Sequence, residues 1–404
     1  MSSSVRGGSS AIAVDAGAES RPKLQLHVRP DSAETDSTKG YHTAPSEREL
    51  IFLAMASGLV MWATAFLLHR SIHQMLAYGD NDAYLGVAEG LRDWDFRHIG
   101  IQHFMGYPYL IAAVSVMFHV PAAFALWIIA AVSSVVSVVL AGRLFGGWVA
   151  AYFAVTNFAW LQLSFLGGSE PLAVALGLGA MLAFRRKHVF PAALLGGLAA
   201  TVRPLMIFVL IGIGLALLFE KRFVAFLLAL GTGAAIGALY VLPLAVYLGD
   251  PLTTVHSYTT RDYGGGGIQG PHGHLFGWPF HGIVAGTLAY PAPWTNLLLS
   301  YSWIGLVLAG TAMMFSAKYR EFARKHVNEV IFAAGYLMAV FCYDYLLWAR
   351  GTFMRFVIPA LPLVFFAMWR WLPKDRRLVW GLCVVSAALA TMSAIGIRNV
   401  VGIP

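Results

Sequence analysis

The segment Tyr78-Gly79-Asp80-Asn81-Asp82-Ala83-Tyr84 puts two carboxylates two residues apart, shortly after the first long apolar run of the chain. A carboxylate at a membrane surface, beside an arriving lipid headgroup, is placed to accept a proton from a hydroxyl nucleophile. The plainer reading of Asp80 is a solvated side chain, or a cap on a helix beginning near Ala83. Asp82 is the alternative base. Farther on, Gly167-Gly168-Ser169-Glu170-Pro171 carries the only carboxylate between Asp95 and Glu220. Pro171 suits a first helical position, so Glu170 reads either as an acid at a helix N-terminus or as a group with a chemical role, a metal ligand among them. Arg203 and Arg355 both stand beside apolar sequence. An unpaired charge at bilayer depth costs about 2.5 to 3.5 kcal/mol on insertion scales, so each requires an anionic partner. Glu170 or Asp344 would make that a structural ion pair; a phosphate would make it a ligand contact, which the planar guanidinium fork fits. Arg350, in Trp348-Ala349-Arg350-Gly351, is a third candidate or a helix-end anchor.

A second polar region holds Arg261-Asp262-Tyr263, the run Gly264 to Gly267, His272-Gly273-His274 and His281. A His-x-His pair can bind a metal, but a glycine between the two and no carboxylate nearer than Asp262 make a poor ligand set, so these read as solvated histidines. The glycine run lacks the Lys-Ser/Thr that follows a phosphate loop and reads instead as a flap over a cleft.

The elements that must position these residues are set by composition. The 404 residues are 58% hydrophobic and 12% charged, with a mean hydropathy of +0.67. Soluble domains carry about 25% charged residues, which excludes a water-coated globule. The net charge of +8 is spread over short clusters between apolar segments, which excludes a nucleic-acid-binding face and reads as membrane topology. Cys342 and Cys383 both fall inside apolar runs, so neither a disulfide framework nor a cysteine metal site is expected. Residues 1–45 are rich in Ser, Ala, Asp and Thr without apolar periodicity and read as a disordered tail.

From there to the C-terminus the apolar runs lie at about 50–68, 122–141, 147–166, 170–184, 190–202, 205–219, 223–246, 295–316, 329–347, 356–371 and 378–397. The expectation is an all-α polytopic membrane protein of about eleven spans, one domain over residues 46–404. Several runs are short for a crossing and suit helices lining a cavity. Basic residues at Arg143, Arg185 to Lys187, Lys221 and Arg222, Lys318 to Lys325, and Arg370 to Arg377 then all fall on one side. By the positive-inside rule that side and the N-terminus are cytoplasmic, with the C-terminus outside. Two large connections, 69–121 and 247–294, face outward, and the apolar piece from Tyr107 to Val120 is assigned to an interfacial helix. Trp278, Tyr290 and Trp294 fit an interfacial aromatic belt.

Asp80, Tyr84 and Ala88, at i, i+4 and i+8 after the first apolar helix, resemble the acidic motif of the C-type glycosyltransferases. That family includes the protein O-mannosyltransferases, the aminoarabinose transferases of lipid A and the mannosyltransferases of lipid anchors. Tyr107-Pro108-Tyr109 is similar to the family's interfacial Pro-Leu-Tyr segment, and Gly168-Ser169-Glu170-Pro171 to its second acidic motif. Gly197-Leu198-Ala199-Ala200-Thr201-Val202-Arg203-Pro204 resembles its Gly-Leu-Ala then Thr-Arg or Thr-Lys turn, and Arg355-Phe356-Val357-Ile358-Pro359-Ala360-Leu361-Pro362 its Arg-Tyr-Leu-Leu-Pro-x-x-Pro. The motifs run in order over residues 50 to about 370. The resemblance implies a sugar donor on polyprenyl phosphate, a lipid, glycan or protein acceptor, and inverting transfer on the outer face of the cell membrane. Asp80 would then be the general base, Glu170 a group near the sugar or a metal, and Arg203, Arg355 and Arg350 the phosphate ligands. It names no certain cofactor, since two carboxylates and a phosphate function with or without a divalent ion. Two other classes stand beside it: a transporter or flippase, marked by internal repeats and mid-span charges, which the spans lack, and a polysaccharide polymerase or ligase using lipid-linked sugars, whose arginine-rich outer loop is reduced here to Arg261.

Overall fold

The computed structural model describes residues 43–67, 80–94, 104–254, 276–289, 294–345 and 352–396. Residues 1–42 of the expected tail, the run from Arg261 to His274, Tyr290, Arg350 and the last eight residues lie outside that description. Among the described residues each apolar run read from the sequence is largely helical. In chain order these are α1 (Glu47–Leu67), α2 (Asn81–Arg92), α3 (Gly106–Phe118), α4 (Ala122–Phe145), α5 (Gly147–Thr156), α6 (Phe158–Phe165), α7 (Glu170–Arg185), α8 (Val189–Val202), α9 (Ile207–Phe219) and α10 (Phe223–Leu248). After these come α11 (His281–Ala289), α12 (Trp294–Met313), α13 (Ala317–Lys325), α14 (Val327–Cys342), α15 (Phe353–Phe356), α16 (Leu361–Ala367) and α17 (Arg376–Gly396).

Two of the runs are not single helices. The expected span 147–166 breaks at Asn157, which is extended (φ −96°, ψ 107°) and whose side chain accepts from Trp160 N to cap α6. An asparagine offers the backbone this local alternative to helix, and the surrounding hydrophobicity does not remove it. The run 356–371 is likewise divided, into α15, a 3₁₀ turn (Ile358–Ala360) and α16, where Pro359 and Pro362 interrupt the backbone ladder. Among the described residues, five helices are long and apolar enough to cross a membrane, or six if α6 and α7, bent 101° to each other, count as one broken span. Other segments read as spans are apolar helices of 10–17 residues, short of the roughly 20 residues of a full crossing.

The basic clusters meet at one end of the bundle. Arg143, in the last turn of α4, holds Glu47 at the start of α1 through two hydrogen bonds of 2.7 and 2.9 Å. Arg376 reaches Glu49 at 2.9 Å. Arg185, at the end of α7, donates to Leu144 O at 2.9 Å and pairs with Glu329 Oε1 at 2.6 Å, sealed by Phe145 and Phe322 under its guanidinium. Glu329 is buried in the first turn of α14. A basic residue that reads from sequence as a topology marker is here half of an inter-helix tie. At the opposite end, α3 packs under the start of α4 through Tyr107, whose hydroxyl donates to Leu126 O. Gly106 lets α3 approach the end of α8, since a Cβ there would lie 2.6 Å from Thr201 O. Reporter fusions test the sidedness of these ends: with eleven crossings, a reporter after Arg377 is cytoplasmic and one after Pro404 is outside. Both reporters on one side would overturn the span count.

Candidate active site

Local structure first explains why each polar side chain points where it does. Asp80 occupies the cap position of α2, yet its carboxylate makes no capping hydrogen bond. It accepts instead from Arg355 Nη2 at 2.6 Å, a residue 275 positions away. The capping explanation of Asp80 therefore fails. Its neighbour Asn81 is buried and donates to Leu166 O at 2.6 Å, which ties the start of α2 to the turn before α7. Gly167 takes φ +93° in that turn, a left-handed conformation suited to glycine. Gly168 follows without room for a side chain, since a Cβ there would lie 2.8 Å from Leu163 Cβ. Helix α7 then opens on Glu170 with Pro171 in its first turn, an acid at a helix N-terminus as expected.

Arg203 ends α8 in extended backbone (φ −141°, ψ 119°) because the following Pro204 disfavours helix at the residue before it. Its Nη1 reaches Glu170 Oε1 at 2.7 Å and Ser169 Oγ at 3.1 Å, with the guanidinium 5.7 Å from the centre of the Phe356 ring. Arg355 is held from both sides of the chain. Asn157 Nδ2 donates to Met354 O at 2.9 Å and Tyr336 OH donates to Phe356 O at 2.8 Å. From that fixed position Arg355 Nε donates to Glu170 Oε1 while Nη2 donates to Asp80. Tyr84, one turn along α2 from Asp80, completes the cluster through a 3.1 Å hydrogen bond to Ser169 Oγ and an edge-on contact with Tyr107.

The four charged groups sum to zero, and they form a gradient of depth. Side-chain exposure is 0% for Glu170, 15% for Arg203, 23% for Arg355 and 33% for Asp80, so Asp80 is the charged group most open to an incoming hydroxyl. Glu170 Oε1 serves both arginines, while its Oε2 is buried without a hydrogen-bond partner among the described residues. Burial works against the charge on Arg355, but Asp80 and Glu170 outweigh it and raise its pKa well above the ordinary arginine value. Burial, reinforced by Asp80 and Glu170, pushes the Tyr84 phenol up to about 12, so it stays a neutral hydroxyl at physiological pH.

Of the residues picked out by type and spacing, Asp80, Glu170, Arg203 and Arg355 come together. Asp82 does not join them; it lies exposed on the first turn of α2. Arg350 lies outside the described residues. Asp344, the nearest local partner expected for Arg355, is engaged elsewhere, its Oδ1 lying 2.9 Å from His281 Nδ1 as the acceptor of that pair. His281 is thus paired rather than simply solvated. Ser169 and Phe356 were not read as site residues, although both flank residues that were, and Tyr84 entered only as part of a motif; the helical i, i+4 spacing from Asp80 is the signal that could have placed it. Trp278 and Trp294 are 84% and 73% exposed, as belt residues would be. Among the described residues no three His, Cys, Asp or Glu side chains gather as a metal site, and both carboxylates of the cluster are engaged by guanidinium groups.

No protein-family profile and no curated protein matches the chain. Among solved structures it is similar to ArnT from Cupriavidus metallidurans bound to undecaprenyl phosphate, with a TM-score of 0.47 and 14% identity over 88% of this chain and 65% of that one. The chain therefore spans slightly less than two thirds of that protein.

Proposed function

We propose that the chain is an integral-membrane glycosyltransferase that moves a hexose from a polyprenyl-phosphate donor to a lipid, glycan or protein acceptor on the outer face. The observation that carries this reading is the placement of Arg355, which bridges the accessible carboxylate of Asp80 and the buried carboxylate of Glu170. Arg355 and Asp80 form an ion pair in the resting arrangement, and a carboxylate is a base. A donor phosphate entering beside Arg355 and Arg203 competes with Asp80 for the guanidinium and loosens that carboxylate's hold on Arg355 as the acceptor hydroxyl arrives. Asp80 then takes the acceptor proton as the hydroxyl oxygen attacks the anomeric carbon. The bond from that carbon to the phosphate oxygen breaks, and its electron pair leaves with polyprenyl phosphate. The phosphate gains one negative charge while Asp80 loses one, so the pocket's total charge is unchanged through the step. No general acid is needed, since the leaving group departs as an anion that fixed cations stabilise. Glu170 holds the two arginines on one carboxylate oxygen and is a positioning residue in this scheme.

Arg355→Lys tests the reading, because a point charge replaces a fork that serves two acceptors at once. The expected result is a folded protein whose affinity for the lipid-linked donor is about tenfold weaker or worse, the scale of one lost charge-assisted hydrogen bond. Unchanged donor affinity with a lowered melting temperature would make Arg355 a structural residue and remove the main support for the scheme.

A further inference from the structure

The same helices build a second, positively charged place at their other end. α7 and α8 run as a hairpin from Glu170 to Arg203 with Arg186-Lys187-His188 at its turn, and α9 joins α10 through Glu220-Lys221-Arg222. The 16 residues of α7, at about 1.5 Å each, put these turns roughly 24 Å from the Asp80–Arg355 cluster. Between them opens a cavity of about 780 Å³, lined among others by Lys187, His188, Phe190, Lys221, Arg222 and Leu228. Glu220 meets Lys187 Nζ at 3.5 Å and Arg222 Nη1 at 3.1 Å, so three cations stand against one carboxylate, an excess of two positive charges. The rest of the wall is apolar and open: Phe190 is 52% exposed, Val224 84% and Leu228 48%. That wall continues along α10, a 26-residue apolar helix whose membrane-length window is only 17% buried. A free anion would use the cations and leave the wall wet; a molecule joining a phosphate to an acyl chain uses both.

We infer that this cavity seats the phosphate headgroup of an anionic glycerophospholipid, with Lys187 and Lys221 on the phosphate and an acyl chain along Phe190, Val224 and Leu228. Basic residues at a membrane surface gain from anionic lipid on the order of a factor of five in affinity each. The site is separate from the transfer chemistry proposed above and stands or falls without it.

Native mass spectrometry of the full chain in detergent, titrated with phosphatidylglycerol, phosphatidylcholine or inorganic phosphate, tests the assignment. Phosphatidylglycerol is expected to be retained over phosphatidylcholine, and the double variant Lys187→Asn/Lys221→Asn to bind it about 25-fold more weakly. Asparagine suits both positions because it tolerates the left-handed backbone found there, φ 64° at Lys187 and 57° at Lys221. Lys187→Arg/Lys221→Arg should retain binding, and together with the wild-type preference it carries the test if the asparagine variant does not fold. Equal retention of the two lipids, or undiminished phosphatidylglycerol binding by an asparagine variant melting at the wild-type temperature, would overturn the proposal. Displacement of phosphatidylglycerol by an equal concentration of inorganic phosphate would also overturn it, by assigning the cavity to a free anion.

Discussion

Asp80→Asn is expected to slow sugar transfer by about 10²- to 10⁴-fold, the usual cost of losing a general base, while leaving membrane insertion and donor binding intact. Asparagine keeps the volume but cannot accept the proton. The fold should tolerate the change because Asp80 is one third exposed and Arg355 keeps its second partner, Glu170. Donor affinity should stay constant or rise, since the substitution removes the carboxylate that competes with phosphate for Arg355 Nη2. A turnover assay with a parallel donor titration therefore separates loss of chemistry from loss of binding. Asp82→Asn serves as the control, because Asp82 is exposed on α2 outside the cluster. Activity in Asp80→Asn together with inactivity in Asp82→Asn would move the base by two residues; activity in both would end the proton-acceptor reading of this loop.

Glu170→Gln should fail differently, by destabilising the protein rather than by sparing the fold and stopping the reaction. The carboxylate is fully buried and one of its oxygens serves both Arg203 and Arg355. Removing its charge leaves two guanidinium groups in a low-dielectric site with Asp80 as their remaining carboxylate. Breaking a buried pair by deleting one partner costs about 3 to 5 kcal/mol. Thermal unfolding in detergent should show a large drop in melting temperature, and the double variant Glu170→Gln/Arg203→Met should recover part of it by removing one of the stranded charges. A Glu170→Gln protein that melts at the wild-type temperature would mean that the arginines reach other anions, and that the cluster does not hold together as described.

The positions of the helices and the grouping of basic residues at one end were legible in the amino-acid order, because both are local properties. A run of apolar residues long enough to need internal hydrogen bonding becomes helix in lipid or in a protein core alike. A lysine or arginine between two such runs has little choice but to lie at their ends. The same logic singled out Arg203 and Arg355, charged residues that apolar neighbours make expensive to leave unpaired, whereas Asp80 stood out as a carboxylate shortly after the first apolar run and Glu170 as the only carboxylate between Asp95 and Glu220. It did not show the break at Asn157, since hydrophobicity averages over a single capping side chain.

The pairing of those charges was another matter. From sequence distance Asp344 is the natural partner of Arg355, only 11 residues away, whereas in the folded chain Arg355 reaches back 275 positions to Asp80 and 185 to Glu170. Asp344 turns to His281, and Arg185, which reads as a marker of topology, closes on the buried Glu329 144 positions on. Charge placement along a chain limits which side chains need partners, but the partner is chosen by which helix ends the packing brings within about 3 Å. That choice depends on the α6–α7 bend, on the close approach at Gly106 and on the two hydrogen bonds that grip the backbone around Arg355, none of which leaves a periodic trace in the order of residues.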